Sequence, residues 1–401
     1  MTGHKKLNYG RHSISSAEID SVVDVLTSDF LTQGPTVERF EAKICSLTGA
    51  KHAIAFSSGT AALHAAACAA DLGAGDLGIT QAITFCASAN MFRFCNADVA
   101  FTDVNPVTLN MCPESLKSTI EIVLAEGLSL KAVTPVHMGG LSCCAKDIRE
   151  VAKEHVLIED ASHSFGARYE DGKIVGCGAY SDITVFSFHP VKPITTAEGG
   201  VAVTNDSVFA SKLRLMRSHG IERNADLFVD PFSDGGLSDS GWYYEQQTLG
   251  YNYRMSDIHA AIGVAQIDRL TEFNERRQSI AMAYDTVFEG HPYIRPLQMR
   301  PEYRIRSANH LYIVMVDYEK IGVTRGQVME LLKRAGIGTQ VHYIPVYRHP
   351  YYRELYPDLK LECFQAAENY YLGALTLPLF PGMTEEDVQF VANQLMSIAS
   401  I

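Results

Sequence analysis

The sequence lacks the features that mark a membrane, nucleic-acid-binding or secreted protein. No apolar run approaches the ~20 residues that a membrane-spanning helix needs. The 34 basic residues form no Lys/Arg-rich block, and 46 acidic residues bring the net charge to -12. That balance argues against a dedicated nucleic-acid or anionic-membrane surface, while leaving room for a local basic pocket. The N-terminal stretch MTGHKKLNYGRHSISSAEID has two lysines but no apolar core, so no secretory signal is visible. The nine cysteines are scattered and odd in number. The one close pair, Cys143-Cys144, is adjacent and lacks metal-ligand spacing. The expectation is a cytoplasmic protein whose reduced cysteines serve packing, with no metal site. Internal repeats and low-complexity tracts are missing too.

What is present is an ordinary globular composition, 47% hydrophobic and 20% charged over 401 residues, enough for a large and a small domain. TVERFEAKICSLTGA spaces Val37, Phe40, Ile44 and Leu47 as a helix that stops at Gly49. KHAIAF reads as a short strand, and SSGTAALHAAACAADLG as a turn followed by an alanine-rich helix. Strands are expected at 98–103, 131–136 and 155–159, with helices at 113–126 and 145–154. Strand and helix alternating at this pitch predict a mostly parallel sheet covered on both faces. A long helix is expected over 256–285, beginning at the N-cap Ser256. Beyond it the pattern restarts, with strands at HLYIVMVDY and GTQVHY and helices at TRGQVMELLKRAG, LECFQAAENYYLG and TEEDVQFVANQLMSIAS. The predicted fold class is therefore α/β. A large domain spans 14–270 and a smaller α+β domain 271–401, joined by the N-terminal segment 1–13. The segment 224–247, rich in Asp, Gly, Ser and aromatics, reads as an excursion near a site or an interface.

Three features converge on one sheet edge. In AFSSGTAALHAA a strand turns through Ser57-Ser58-Gly59-Thr60 into a helix, whose unpaired first N–H groups and dipole suit a phosphate. Alone, it is equally a plain turn with a serine cap. In VLIEDASHSFGA a buried strand carries Glu159 and Asp160 to its C-terminal end, where ligands bind in open α/β sheets. Alternation turns the two carboxylates to opposite faces, and His163 follows nearby. In FSFHPVKPITTAEGG, Lys192 stands in a loop between two apolar runs, bracketed by Pro190 and Pro193, which restrict φ around it. A lysine whose pKa is depressed by its surroundings forms a Schiff base with a carbonyl. A phosphate cradle, a carboxylate and a lysine are the set that pyridoxal phosphate (PLP) requires.

FSSGTAAL, IEDASHSFGA, FSFHPVKPITTAEGG, LGYNYRMSDIHAAIG and GIGTQVHYIPVY occur in this order. Together they resemble the DegT/DnrJ/EryC1/StrS family of sugar aminotransferases, with the aspartate-aminotransferase fold (fold type I), over nearly the whole chain. SFHPVKPITT with TQVHYIPVYRHPYY is most similar to the C4 aminotransferases that act on UDP-4-keto-6-deoxy sugars in pseudaminic acid biosynthesis. The resemblance implies that Lys192 bonds the PLP aldehyde, Asp160 faces the pyridinium nitrogen and His163 lies by the ring oxygen. It implies that Ser58, Gly59, Thr60 and Ser187 bind the phosphate and that Phe85 stacks on the ring. Asn252 matches an asparagine that reaches the phosphate from a neighbouring subunit, which implies a homodimer. His342 and Tyr343 lie where relatives contact the nucleotide sugar. The implied reaction moves an amino group from L-glutamate, leaving 2-oxoglutarate, to a nucleotide-linked keto sugar. C3 transfer, a dTDP- or GDP-sugar, another PLP reaction such as a lyase, and a non-catalytic binding protein on the same fold are the alternatives. Two positions depart from the family pattern. His259 stands on a helix, and Ala197 replaces a frequent glycine, harmless at negative φ and strained at positive φ.

Overall fold

Alternation of buried residues decides the layering. The computed structural model describes residues 6–229 and 241–399. Seven strands form the main sheet: β1 (His52–Phe56), β2 (Asp76–Gln81), β3 (Asp98–Thr102), β4 (Ser129–Thr134), β5 (Val156–Asp160), β6 (Ile183–Ser187) and β7 (Gly200–Thr204). Their order is β1-β7-β6-β5-β4-β2-β3. The pairs from β3 through β6 are parallel, while β7 runs antiparallel to both β6 and β1. Nine helices accompany the sheet in chain order: α1 (Ser16–Leu26), α2 (Pro35–Thr48), α3 (Gly59–Ala69), α4 (Ala87–Phe94), α5 (Pro113–Ala125), α6 (Ala145–Val151), α7 (Ser207–Arg217), α8 (Asp257–Asp268) and α9 (Leu270–Phe288). Ile158, Val185 and Ala202 pack with α3, α4 and α7 on one face. Their neighbours Leu157, Phe186 and Val201 pack with α2, α5 and α6 on the other. The result is the α/β sandwich of helix, sheet and helix that the strand and helix pitch predicts.

A third core lies beyond it. Ile280, Tyr284 and Phe288 of α9 pack with Tyr312, Val314, Leu375 and the C-terminal helix Glu385–Ala399. An antiparallel sheet of Ile294–Pro296, Tyr312–Val316 and Ala374–Leu377 backs this core. Leu7 joins the same core, its N–H donating to the Gly336 carbonyl at 2.9 Å. At the other end of α9, Leu270 and Phe273 belong to the main-sheet core, so one helix bridges the two.

Several expectations need correction. The helix expected over 256–285 is two helices, broken at Arg269, although Ser256 does cap the first. GTQVHY is not a strand; only a single bridge between Gln340 and Thr376 forms there. Ala197 has φ 66°, the strained alternative. Strand β2, next to the edge strand β3, was missed because DLGITQ carries a glycine and a buried glutamine. Gly78 lies under Phe92, where a Cβ would come within 2.2 Å of the ring. Gln81 is satisfied by four backbone groups, donating to the Ile83 and Leu109 carbonyls and accepting from the Met111 and Val136 N–H groups. Of the expected excursion over 224–247, residues 230–240 (Asp230 to Ser240, with DPFSDGG) lie outside the described residues.

Candidate active site

β1, β2, β4, β5 and β6 all point their C-terminal ends at one sheet edge, and a cavity of about 540 Å³ opens there. Ser58, Gly59, Thr60, Phe85, Asp160, His163, Ser187, Lys192, His342 and Tyr343 line it. Asn252 does not: it is exposed on the surface, its backbone bridged to Ser218.

The floor is built by close backbone approach. Ser58 caps α3 by accepting from the Ala61 N–H at 3.1 Å, worth about 1 kcal/mol to the helix. Gly59 and Thr60 form the first turn of α3, whose amides have no partner within the helix. A Cβ on Gly59 would lie 2.8 Å from that of Ser187, and one on Gly200 would lie 2.5 Å from the Ser58 carbonyl oxygen. Two glycines therefore let the turn press against the ends of β6 and β7, placing the free amides beside the Ser187 hydroxyl.

Asp160 ends β5 on the face shared with α4. Its Oδ2 accepts from Ser88 Oγ at 2.7 Å, its Oδ1 from the Ser162 N–H at 3.1 Å, and Thr84 backs Ser88 at 2.8 Å. The carboxylate is 4% exposed and lines the cavity, as does Lys192. A buried carboxylate on so few donors is costly unless a cation joins it. Burial lowers the Lys192 amine to about 8, and the charge of Asp160 opposes that shift. The neutral amine that a nucleophile requires is therefore far more populated near physiological pH than in an ordinary lysine, although the ammonium still predominates below pH 8. Its loop is clamped: Phe188 N–H donates to the Gly199 carbonyl, and buried Arg277 of α9 donates to the carbonyls of Lys192 and Pro193 at 3.2 and 2.9 Å.

The far wall is aromatic. His163 Nδ1 accepts from the Gly139 N–H at 3.3 Å, so the proton of a neutral imidazole sits on Nε2, 3.1 Å from the Tyr343 hydroxyl. Burial first, and the Lys192 charge second, push His163 well below the usual histidine range. The same two causes lower His342 to about 3. Phe85 is 55% exposed with its ring 5.9 Å from that of Tyr343, leaving a large apolar face for a flat ligand to cover. Amides, hydroxyl, carboxylate, an amine of lowered pKa and an open aromatic face together fit PLP.

The match of the chain to known proteins agrees with this donor set. Residues 12–396 match the model of the DegT/DnrJ/EryC1/StrS aminotransferase family. The chain belongs to that family. It is thus a PLP-dependent sugar aminotransferase. It is 38% identical over 395 residues to the spore coat polysaccharide biosynthesis protein SpsC of Bacillus subtilis, covering 98% of this chain and 97% of SpsC. It is 35% identical over 395 residues to the UDP-4-amino-4,6-dideoxy-N-acetyl-beta-L-altrosamine transaminase of Campylobacter jejuni, covering 98% and 97%. Among solved structures, Helicobacter pylori PseC, an aminotransferase of pseudaminic acid biosynthesis, superposes with a TM-score of 0.86 at 29% identity, covering 99% of this chain and 100% of PseC. The PLP form of the putative sugar aminotransferase Spr1654 of Streptococcus pneumoniae gives 0.85 at 27% identity, covering 99% of each chain.

Sequence reasoning missed Ser88, which holds Asp160, and Arg277, which holds the lysine loop. It also missed Tyr9 and Gln340, which line the cavity from the N-terminal and C-terminal parts of the chain. A serine in ASANM and an arginine inside a charged helix look like surface residues until the fold brings them in. No helix among the described residues is long and apolar enough to cross a membrane.

Proposed function

We propose that this enzyme moves an amino group from L-glutamate to C4 of a UDP-linked 4-keto-6-deoxy sugar, in a surface-sugar pathway of the pseudaminic acid kind. The single observation that carries the chemistry is the cavity in which a lysine of lowered pKa shares its lining with a buried carboxylate and a helix N-terminus. The likeness to the Campylobacter transaminase and to PseC supports the sugar.

When bound, PLP supplies an aldehyde for amine exchange and a ring that takes up the electron pair left by the donor's Cα proton. Ser58, Ser187 and the amides of Gly59 and Thr60 bind its phosphate. The Asp160 carboxylate holds a proton on the ring nitrogen, and Ser88 fixes that carboxylate. Phe85 covers one ring face and excludes water. Lys192 Nζ would hold the aldehyde carbon and, when free, would carry a proton between the donor's Cα and that carbon, across the nitrogen that joins them, as general base and then acid. His163 Nε2–H holds the Tyr343 hydroxyl, and His342 stands beside it for the sugar nucleotide. 2-Oxoglutarate leaves before the keto sugar enters, which predicts ping-pong kinetics. Asn252, exposed and outside its own chain's cavity, is free to serve the phosphate of a second copy in a homodimer. The nine free cysteines suit a cytoplasmic setting.

A second reading is a TDP-sugar substrate, favoured by DesI, a structure solved in the presence of its TDP-sugar product, with a TM-score of 0.81 at 28% identity. A panel of UDP-, TDP- and GDP-keto sugars with glutamate, read by NMR of the product, separates the two. Turnover with the UDP-4-keto sugar and a new amine at C4 is expected. Turnover only with TDP-sugars, or amination at C3, overturns the first reading, and product formed without an amino donor overturns aminotransfer itself.

A further inference from the structure

A second cluster lies behind the phosphate turn, between α3 and α4. His64 and Cys68 stand four residues apart on α3, so they share one helix face. Cys95 closes the C-terminus of α4. A ring nitrogen of His64 and the two sulfurs lie within 4.8 Å of one another. His64 Nδ1 is taken by the Tyr253 hydroxyl at 3.0 Å, so the nitrogen left to face the sulfurs is Nε2. His64 is 5% exposed, and its buried Nε2 has no hydrogen-bond partner among the described residues. An orphaned imidazole nitrogen beside two thiols has a cost that a ligand would remove. The Cys68 and Cys95 sulfurs are 3.6 Å apart. A disulfide would need about 2.05 Å. Two sulfurs on one tetrahedral zinc, each at ~2.3 Å, stand about 3.8 Å apart.

The other buried His/Cys/Glu group, His137, Cys143 and Glu159, does not qualify. There His137 Nε2 and Glu159 Oε1 are also buried without a hydrogen bond, but His137 Nδ1 accepts from the Cys143 N–H, so its Nε2 carries the proton and turns an N–H, not a lone pair, towards Oε1 3.6 Å away.

The geometry points to a zinc site formed by His64, Cys68 and Cys95, with water as the fourth ligand. Imidazole and thiolate are the ligands a borderline-soft cation selects. The Tyr253 hydroxyl plays the part of the outer partner that fixes a metal-bound histidine, accepting the Nδ1–H and leaving the Nε2 lone pair for the metal. A cation here would tie the end of α4 to α3, the helix whose first turn forms the phosphate cradle. The sequence did not show it because 27 residues separate the two cysteines.

The test uses the full-length, PLP-loaded protein, freed of metal by chelator and titrated with Co2+ as the spectroscopic probe, then with Zn2+ in competition. One equivalent of Co2+ should give a near-ultraviolet sulfur-to-cobalt band and tetrahedral visible bands that Zn2+ abolishes. Cys68→Ser and Cys95→Ser, read separately, should each weaken binding at least ~10-fold, and Tyr253→Phe by about 10-fold. Cys363→Ser, at an exposed cysteine, should change nothing. Circular dichroism and retained PLP absorbance verify that each variant is folded. No thiolate band in the wild type, or equal binding by wild type and both cysteine variants, overturns the site. So does a reduced-buffer preparation that is lighter by two hydrogens and maps to a Cys68–Cys95 disulfide.

Discussion

Glu159 and Asp160 are adjacent carboxylates on one strand, both buried, and the structure treats them in opposite ways. Glu159 faces α6 and is closed off by protein. Tyr169, Ser181 and Thr184 hydroxyls all donate to its Oε2, at 2.6, 2.9 and 3.0 Å, with His137 at 3.6 Å from Oε1. Burial alone would raise its carboxyl, but the bonds from His137, Tyr169 and Ser181 outweigh it and the net shift is downward. Asp160 faces α4 and receives one hydroxyl and one amide, its remaining lone pairs open to the cavity. Glu159 Oε1 makes no hydrogen bond of its own, yet it too faces only protein. The difference teaches how to tell a structural acid from a working one: enclosure by the protein's own groups marks the first, acceptor capacity open to a cavity marks the second.

Substitution of the pair breaks the comparison if it is wrong. Asp160→Asn should lower turnover by about 10²–10³, the scale of losing one preorganised electrostatic partner, with little change in urea unfolding. Glu159→Gln should do the reverse: its amide puts a donor among donors, costing about 1–3 kcal/mol of stability, while turnover per PLP-loaded site stays at the wild-type level. Equal losses of activity in both would erase the distinction.

The cation beside Asp160 sharpens it further. Lys192 in the PLP-free protein titrates at about 8 against 10.5 for an unperturbed lysine. Between those values the unfolded chain holds a proton that the folded one lacks, so the stability of the PLP-free protein rises with pH across that window. The cost of the buried ammonium is fully present below pH 8. Lys192→Met should therefore stabilise PLP-free protein most below pH 8, the gap shrinking towards 10.5 in urea unfolding. The rate at which PLP-free protein captures PLP should rise with a midpoint near pH 8.

Two smaller effects test the supports. Ser88→Ala removes a hydrogen bond to a charged group, about 1.5–3 kcal/mol, and should lower PLP affinity or turnover by ~10-fold or more without disturbing Glu159. Ala197→Gly releases about 1–2 kcal/mol of left-handed strain and returns about 0.5–1 kcal/mol of chain entropy. Its net gain in stability should stay within ~1 kcal/mol, with activity unchanged. The Ala197 N–H already donates to Thr195 Oγ1 at 2.9 Å, one bond that holds the strained turn.

These contrasts also divide what the sequence makes legible from what it hides. The strand ends at Phe56, Asp160 and Ser187 were readable because apolar alternation stops there, and the residues just past a parallel strand's end converge wherever the sheet is built. β2 was not, since Gly78 and Gln81 break the apolar run and are explained only by Phe92 and by loops distant in sequence. GTQVHY was misread as a strand: its backbone leaves the small sheet after Gln340, and Tyr343 is held by His163 rather than by a neighbouring strand. Ser88 and Arg277 act through contacts 72 and 85 residues away, a range that local pattern does not reach.

The central claim is that Lys192 is the residue that bonds the cofactor. Borohydride reduction of the PLP-loaded protein, followed by proteolysis and mass mapping, tests it directly. The account predicts a phosphopyridoxyl mass on the peptide containing Lys192, and none in Lys192→Ala, which should also lose at least the 10²–10⁴ in rate that proton transfer supplies. A label on another lysine, or full turnover by Lys192→Ala, would contradict it.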